Sequence, residues 1–594
     1  METVLPARRA AAWLPGRLLL ILGLMALAAL LPLSGNDYWA LIATRAAIYW
    51  ILVAGLNLIV GFAGQLAIGY VALFAVGAYT SSILAAGTVT TPLPAAVSLL
   101  GAAVAGALCG VIVGLPALRL RTFYFAMTTL GFATIVTQVA LGWQSVTGGG
   151  IGLPGPTPPA PFDSPWGLYY FCACLAALAT WLTSNIAASR FGRALIAVRD
   201  AEVAAEAAGI AKPSLLLRVF LFAGASAGVA GGLFATLQTY ITPDAFTFDL
   251  SLLFFIAVLL GGRGSIAGPL LATILLTMLP EVAAPLAAWS TFLYAALLLL
   301  IVLLLPGGIA ALLGRGRRAK LPHNRTILPQ SQALAPLLAH EHAAAPLVLR
   351  QVALSFGGVR AIDGLDLTVT PGQVLGLIGP NGSGKTTTLN VISGYYRPQT
   401  GSLSLGDHPL PPAAPATRAG RGIARTFQTP RIVGEATVLD NVMIGGTITG
   451  RAGFCAAMLS LPHQRREERR IADRARLALQ AVGLAGLADA RADRLQHSEL
   501  RFVEIARALM AAPSFLLLDE PAAGLSAAEI LRLGQLIQSI SRHGVGVLLV
   551  EHHADLIFAI CDQVTVLNLG RVLAAGTPAE IRAHPEVVHA YLGA

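Results

Sequence analysis

A polytopic α-helical membrane domain followed by an α/β phosphate-loop domain is the fold this sequence predicts, on three observations. Up to about residue 313 the chain is a succession of apolar runs near ~20 residues long, the length that crosses a bilayer. From about residue 347 it reads instead as a soluble α/β domain. That second half contains Gly379-Pro380-Asn381-Gly382-Ser383-Gly384-Lys385-Thr386, which has the G-x-x-x-x-G-K-[ST] form. A chain of 594 residues is too long for one domain. With 56% hydrophobic residues, 12% charged and a mean hydropathy of +0.71, it is too apolar for a wholly soluble protein.

In the first half, spans are expected over about 17–34, 40–60, 63–86, 94–117, 123–143, 167–185 and 215–240, then a broken region 245–283 and a last span 287–313. Eight to ten spans result. Arg8 and Arg9 followed by an apolar run resemble a signal peptide, but no cleavage site leading into a soluble protein follows, so a first membrane helix is expected. Arg8, Arg9 and Arg17 place the N-terminus in the cytoplasm. Counting onward puts Arg119 and Arg121 inside and the Gly/Pro-rich loop 147–165, which has no basic residue, outside. The segment 189–212 and the basic tail 315–320 fall inside. The apolar run 250–260 is only about 17 Å long as a helix, and Gly261-Gly-Arg-Gly-Ser265 ends it. Two short crossings or a re-entrant pair both fit. Arg263 would cost about 2.5–3.5 kcal/mol at the midplane, which favours a cytoplasmic or protein-buried place. Asn57, Gly61, Gly64, Gln65 and Gly69 interrupt spans two and three; they line a pathway or pack helices through small residues.

Residues 193–209 form a cytoplasmic, alanine-rich helical stretch with a glycine stop. Alone it is a surface helix; beside a nucleotide-binding domain it is a candidate coupling helix, with Arg193, Arg199, Asp200, Glu202, Glu206 and Gly209 as its contact residues. Residues 314–346 carry arginines, prolines and alanines without a sustained apolar period and read as a cytoplasmic tether. The five cysteines are scattered and imply neither a disulfide framework nor a zinc site. The net charge of +10 fits membrane orientation and phosphate binding; no basic stripe interleaved with aromatics points to nucleic acid.

The phosphate loop follows the apolar strand 373–378 and opens a helix at 387–392, the context the motif requires. Glycines let backbone N–H groups turn toward phosphate oxygens, and the helix N-terminus adds positive potential. Gly379, Asn381, Gly382, Ser383, Gly384, Lys385, Thr386 and Thr387 are therefore expected to cradle a nucleoside triphosphate. Lys385 reaches the β- and γ-phosphates and the Thr386 hydroxyl a Mg²⁺ ion. The apolar strand 515–519 ends in two carboxylates, Asp519 to hold Mg²⁺ through water and Glu520 to polarise the attacking water.

Three runs, 55–65, 123–132 and 197–210, resemble the branched-chain amino-acid permeases of bacterial ABC importers, and the likeness covers almost all of 15–313. From 347 to 593 the chain resembles the ATPase subunit of the same importers. The resemblance implies a fused permease and ABC ATPase in the bacterial inner membrane, with its ATPase in the cytoplasm. It implies a small-molecule substrate delivered by a periplasmic solute-binding protein, and a second permease and second ATPase as partners. It implies that Phe356 stacks on adenine, where the alternative is a core phenylalanine. Gln428 would join Mg²⁺ and water to the membrane contact, and His552 would contact the γ-phosphate. One motif departs from the family: the glycine-rich signature is replaced by Leu495-Gln496-His497-Ser498-Glu499. In an ABC dimer that helix start faces the partner's nucleotide. A β-carbon at Ser498 and a carboxylate at Glu499 are expected to weaken closure. Branched-chain amino-acid uptake is the leading function. Alternatives are a gating or assembly subunit that binds ATP but hydrolyses it poorly, and an importer of urea or short amides. An exporter half-transporter is disfavoured by the number of spans and the short loops.

Overall fold

The computed structural model describes residues 36–282, 307–314, 329–338 and 345–587, apart from 90 and 121, with a few isolated positions between 289 and 303. The expected span 17–34 and part of 287–313 lie outside the described residues, as does the basic tail 315–320. The chain divides into two units. One takes residues 1–61, 65–183 and 219–313; the other takes 62–64, 184–218 and 314–594.

In the first unit the described helices are Asp37–Asn57, Val71–Ala86, Ala95–Ala117, Thr122–Gly142, Pro165–Ala188, Lys212–Gln238, Phe248–Gly261 and Ala267–Val282. Six stretches are long and apolar enough to cross a membrane, and Val71–Ala86 and the helix from Ala267 are shorter apolar helices. Asp37–Phe62 and Lys212–Gln238 are the inner helices, with 89% and 72% of their apolar windows buried, against 28% or less for Ala95–Ala117, Thr122–Gly142 and Pro165–Ala188. Helices Ala95–Ala117 and Lys212–Gln238 meet backbone to backbone: a β-carbon on Gly106 would lie 2.3 Å from the Gly224 carbonyl oxygen, and one on Gly224 equally close to that of Gly106. That is small-residue packing as membrane helices use it.

The third expected span, 63–86, is a correction. Its helix starts only at Val71; residues 58–62 continue the preceding helix as a π-turn and 63–70 are irregular. Gly69 explains the irregular stretch, since its backbone is so close to the neighbouring helix that a β-carbon would meet the Thr129 oxygen at 1.9 Å. The broken region is a helical hairpin. Phe248–Gly261 and Ala267–Val282 join through a turn with Gly262 and Gly264 at φ 96° and 73°, and Arg263 is exposed on it rather than buried in protein. Asn57 is buried and donates from Nδ2 to the Ser265 carbonyl at 2.7 Å, so its amide holds this turn.

The second unit carries a six-stranded sheet in the order Arg571–Gly576, Gln563–Asn568, Val374–Ile378, Gly546–Val550, Phe515–Asp519, Ile423–Arg425. All neighbours are parallel except the first pair. Strands Val374–Ile378, Phe515–Asp519 and Gly546–Val550 are buried along their whole length, which is why they read as unbroken apolar runs. A second, antiparallel sheet pairs Leu347–Phe356 with Val359–Val369 and Thr400–Leu405.

Two expectations change here. The tether is not featureless: 331–333 and 335–338 are short helical turns, and Leu334, Leu337 and Leu338 sit in the hydrophobic core of this unit. Gln330 N–H donates to the Ala481 carbonyl (3.1 Å) and Arg474 Nη2 to the Leu337 carbonyl (2.6 Å). The coupling stretch is two helices, Arg190–Asp200 and Glu202–Ala207, separated at Ala201 (φ −148°, ψ 58°) and ended by Gly209 at φ 84°.

Candidate functional site

The phosphate loop lies between the buried strand Val374–Ile378 and helix Lys385–Ile392. Gly379, Gly382 and Gly384 hold φ of 151°, 81° and 104°, the region glycine enters without steric cost. A β-carbon on Gly384 would strike the Ala361 carbonyl oxygen at 2.4 Å, whereas Gly382 faces open space. Lys385 Nζ donates to the Gly379 and Pro380 carbonyls (2.8 and 2.9 Å), folded over the loop it serves. Burial pushes its pKa down, opposed by Glu520 and Asp519. Among the described residues Ser383 Oγ is buried without a hydrogen-bond partner, an unmet polar atom inside the loop. Asn381 and Thr386 are exposed and Thr387 half-buried, so these polar side chains are accessible. Phe356 is also exposed, its ring edge-on to Tyr396 at 5.0 Å, which removes the core-phenylalanine alternative.

At the ends of the neighbouring strands Glu520 is held from both sides. Gln428 Nε2 donates to its Oε2 at 2.8 Å and His552 Nε2 lies 2.9 Å from its Oε1. Its backbone sits at φ 47°, a left-handed conformation that costs a non-glycine residue about 1–3 kcal/mol and recurs at functional sites. Asp519 is buried and paired with Arg425 Nη2 at 3.0 Å. Burial pushes the Asp519 carboxyl up, and Arg425 pulls it back. Arg425 also donates to Asn390 Oδ1 and Ser393 Oγ, fixing the loop helix to the strand that carries the carboxylates. Sequence reasoning assigned no role to Arg425, nor to Glu551, whose buried carboxylate accepts from the N–H groups of Ala522 (2.6 Å) and His552 (3.1 Å). Glu551 thereby ties the chain after Glu520 to the histidine turn.

The fully buried parallel strands, the loop and this carboxylate cluster form a nucleotide-hydrolysis site in a chain that also carries membrane-length apolar helices. The family model for the permease component of branched-chain amino acid transport systems matches residues 38–305. That for ABC transporters matches 362–523, and that for branched-chain amino acid ATP-binding cassette transporters matches 571–594. The chain is 38% identical over 241 residues to the high-affinity branched-chain amino acid transport ATP-binding protein LivG of Escherichia coli K12, covering 40% of this chain and 94% of that one. This chain belongs to the branched-chain amino-acid ABC transporter family. BraF of Pseudomonas aeruginosa, of the same description, is 39% identical with the same coverage. The lipopolysaccharide export ATP-binding protein LptB of E. coli is 33% identical over 249 residues, covering 42% of this chain and 98% of that one. A nucleotide-free ATP-binding cassette is 30% identical, with a TM-score of 0.38, covering 42% of this chain and all of that one. The transporter thus joins a permease to an ATP-binding cassette with ATPase chemistry in a membrane-embedded chain.

The departed signature begins helix His497–Leu509, with Gln496 as its cap residue. Gln496 and His497 are exposed, whereas Ser498 and Glu499 are buried. The Glu499 carboxylate does not face outward: it accepts from the Gln496 N–H at 2.8 Å and caps its own helix. Its effect on the helix end is to satisfy an amide and offset the positive end internally. The same helix supports Gln428, because Arg501 donates to the carbonyls of Phe427 (2.8 Å) and Gln428. Arg507 adds a bond to the Arg431 carbonyl at 2.6 Å.

The 184–218 segment packs within the ATPase unit. Arg193 Nη2 bonds Glu468 Oε2 at 2.5 Å, and the Arg190 N–H bonds Glu468 Oε1 at 2.6 Å. Phe191 meets Phe454 edge-on at 5.3 Å, Asn185 donates to the Met458 carbonyl, and Tyr395 Oη donates to that of Val203 at 2.6 Å. Gly209 is required where it stands, since a β-carbon would meet Ile448 at 2.4 Å. Arg199 forks onto its neighbour Asp200 and reaches Glu435 at 3.9 Å, and Glu202 pairs with Lys212 inside the segment. Burial pushes the Glu206 carboxyl up. Of the expected contact residues, Arg193, Arg199 and Gly209 reach residues of the ATPase; Arg190, Phe191 and Asn185 were missed because they precede the alanine-rich stretch.

Proposed function

We propose that this chain is the permease–ATPase half of a heteromeric importer that moves branched-chain amino acids, or related small amino acids and amides, across the bacterial inner membrane. Its domains would be a permease to about 313, a linker over 314–346 and a cytoplasmic ATPase from 347. The observation that carries the reading is the occurrence, in one chain, of a match to branched-chain permeases and a cassette similar to LivG and BraF. The likeness to LptB, whose name describes export, means that the cassette alone does not set direction; the permease match supports uptake.

In this reading the loop 379–387 binds the ATP phosphates, Phe356 packs on the adenine and Lys385 swings from its own loop carbonyls to the β- and γ-phosphates. The donor set fits magnesium: an exposed Thr386 hydroxyl, the Gln428 amide and the Asp519 carboxylate are the oxygen ligands a hard cation takes. Bound there, magnesium would neutralise developing charge on the phosphate oxygens. Glu520, aimed by Gln428 and His552, accepts the proton of the attacking water, and His552 then faces the γ-phosphate. The 184–218 segment transmits the change to the permease through Arg190 and Arg193 on Glu468.

The signature supports a second feature. In a cassette dimer each site combines one subunit's phosphate loop with its partner's signature. A homodimer of this chain would place Gln496 and His497 in both sites, so we read the partner as a second permease and a second ATPase with an ordinary signature, served by a periplasmic binding protein. A subunit that binds ATP but hydrolyses it poorly is the rival that the signature favours. Glu520→Gln in the assembled complex decides between them: ATP binding is retained and most binding-protein-stimulated turnover is lost, while the equivalent change in the partner costs much less. Lys385→Ala loses binding itself. Equal losses from the two glutamate changes would refute the asymmetry, and undiminished turnover in Glu520→Gln would support the rival.

A further inference from the structure

A cavity of 680 Å³ opens beside helix Pro462–Ala481, away from the phosphate loop, and its lining includes Arg451, His463, Arg466, Glu467, Arg470 and Arg474. Arg466, Arg470 and Arg474 follow at intervals of four, so they form one stripe about 12 Å long on the helix. Like charges so spaced disfavour a helix. The helix's own carboxylates do not relieve them. Glu467 pairs with Arg190, Glu468 with Arg193 and Asp473 with Arg476. Arg474 is half-buried: one amino group donates to the Leu337 carbonyl, and its Nε is enclosed without a partner among the described residues. Burial lowers its pKa, and no carboxylate among the described residues acts against that.

We propose that this cavity binds a small phosphate-bearing anion. Guanidinium forks match phosphate oxygens two at a time, and a stripe of three spans more than one phosphate group. The volume is that of a small-molecule site. An amino-acid cargo offers one carboxylate beside an ammonium and does not match such a stripe. The site is placed to act on coupling. Glu467, in its wall, accepts from the N–H groups of Arg451 and Ala452 (2.8 and 3.0 Å) and pairs with Arg190 at 3.6 Å, while Arg190 Nη1 also donates to the Thr447 carbonyl. An anion drawing Arg451 and Arg470 inward therefore changes the frame on which the 184–218 segment rests. The ligand is either a free phosphorylated metabolite or a phospholipid headgroup.

The test uses the full chain in nanodiscs of zwitterionic lipid with the nucleotide site saturated by ADP, titrated with inorganic pyrophosphate in a calorimeter. The wild type is expected to bind, and Arg466→Gln with Arg470→Gln to bind at least about tenfold more weakly. Unchanged ADP affinity verifies the fold, and the single exposed change Arg470→Gln moves affinity in the same direction. Repeating the titration in discs rich in anionic phospholipid separates the sources: undiminished pyrophosphate binding identifies a free anion, and suppressed binding identifies a headgroup. No pyrophosphate binding in zwitterionic discs, or equal binding by wild type and double variant, overturns the proposal and leaves the arginines a solvated face.

Discussion

Arg425→Met is the perturbation that most directly probes how the hydrolysis site is held. The Arg425–Asp519 pair is 3.0 Å long with side chains 3% and 4% exposed, so removing the arginine leaves a carboxylate in a poorly solvated place. Breaking a buried pair from one side costs about 3–5 kcal/mol. The pH dependence follows from Asp519, whose pKa burial raises and Arg425 opposes. A carboxyl with a folded pKa above its unfolded value contributes its stability fully below the unfolded pKa and loses it as pH rises through the folded one. Without Arg425 the folded pKa rises further, so the variant's penalty is greatest at neutral and alkaline pH and shrinks on acidification. The ATPase unit has no tryptophan, so the assay is hydrogen exchange of strand Phe515–Asp519 by mass spectrometry, under conditions where the unit opens as a whole. Exchange there is expected to quicken on the order of a hundred- to several-thousand-fold at neutral pH. Adding Asp519→Asn recovers most of the loss. Recovery stays incomplete, because Asn390 and Ser393 also lose a donor, at about 1 kcal/mol each. A penalty under about 1 kcal/mol, or a double variant no better than the single one, would refute the reasoning.

Leu337→Ala tests the docked linker: the side chain is fully buried, so the change is expected to cost about 2–5 kcal/mol and to speed exchange in helix Pro462–Ala481. An inert tether would leave that helix unaffected. Orientation is checked in a chain whose native cysteines are replaced: a cysteine at Gly150 is expected to react with an impermeant reagent in sealed cells, and one at Arg317 to stay unlabelled. Glu551→Gln keeps one acceptor oxygen, enough for the Ala522 N–H, but turns an amide donor toward the His552 N–H, while removing a charge that burial disfavours. It is therefore expected to speed hydrogen exchange in strand Gly546–Val550 less than Glu551→Leu, which leaves both N–H groups without an acceptor.

What could be read from the sequence was what neighbouring residues determine together. The phosphate loop, the paired carboxylates after an apolar strand and the basic clusters are each contiguous, and their physics needs only a few consecutive side chains. What could not be read depends on residues far apart. Arg425 meets Asp519 across 94 positions, and Arg501 meets the carbonyl of Phe427 across 74, yet both arginines stand in runs that carry no period of their own. The linker was misread for a related reason. Leu334, Leu337 and Leu338 make too short an apolar stripe to stand out among alanines, and their partners are distant in sequence, in the core that helix Pro462–Ala481 helps to build. Ala201 breaks the coupling stretch without glycine or proline to announce it, because tertiary contacts on both sides, Arg193 to Glu468 and Val203 to Tyr395, fix the bend. The signature sits between these cases. Its lost glycines were visible, but their consequence depends on where Glu499 points. Folded back onto the Gln496 N–H, that carboxylate caps the helix it stands in. The departure is thus a helix start satisfied from within, its first amide met by the chain's own side chain.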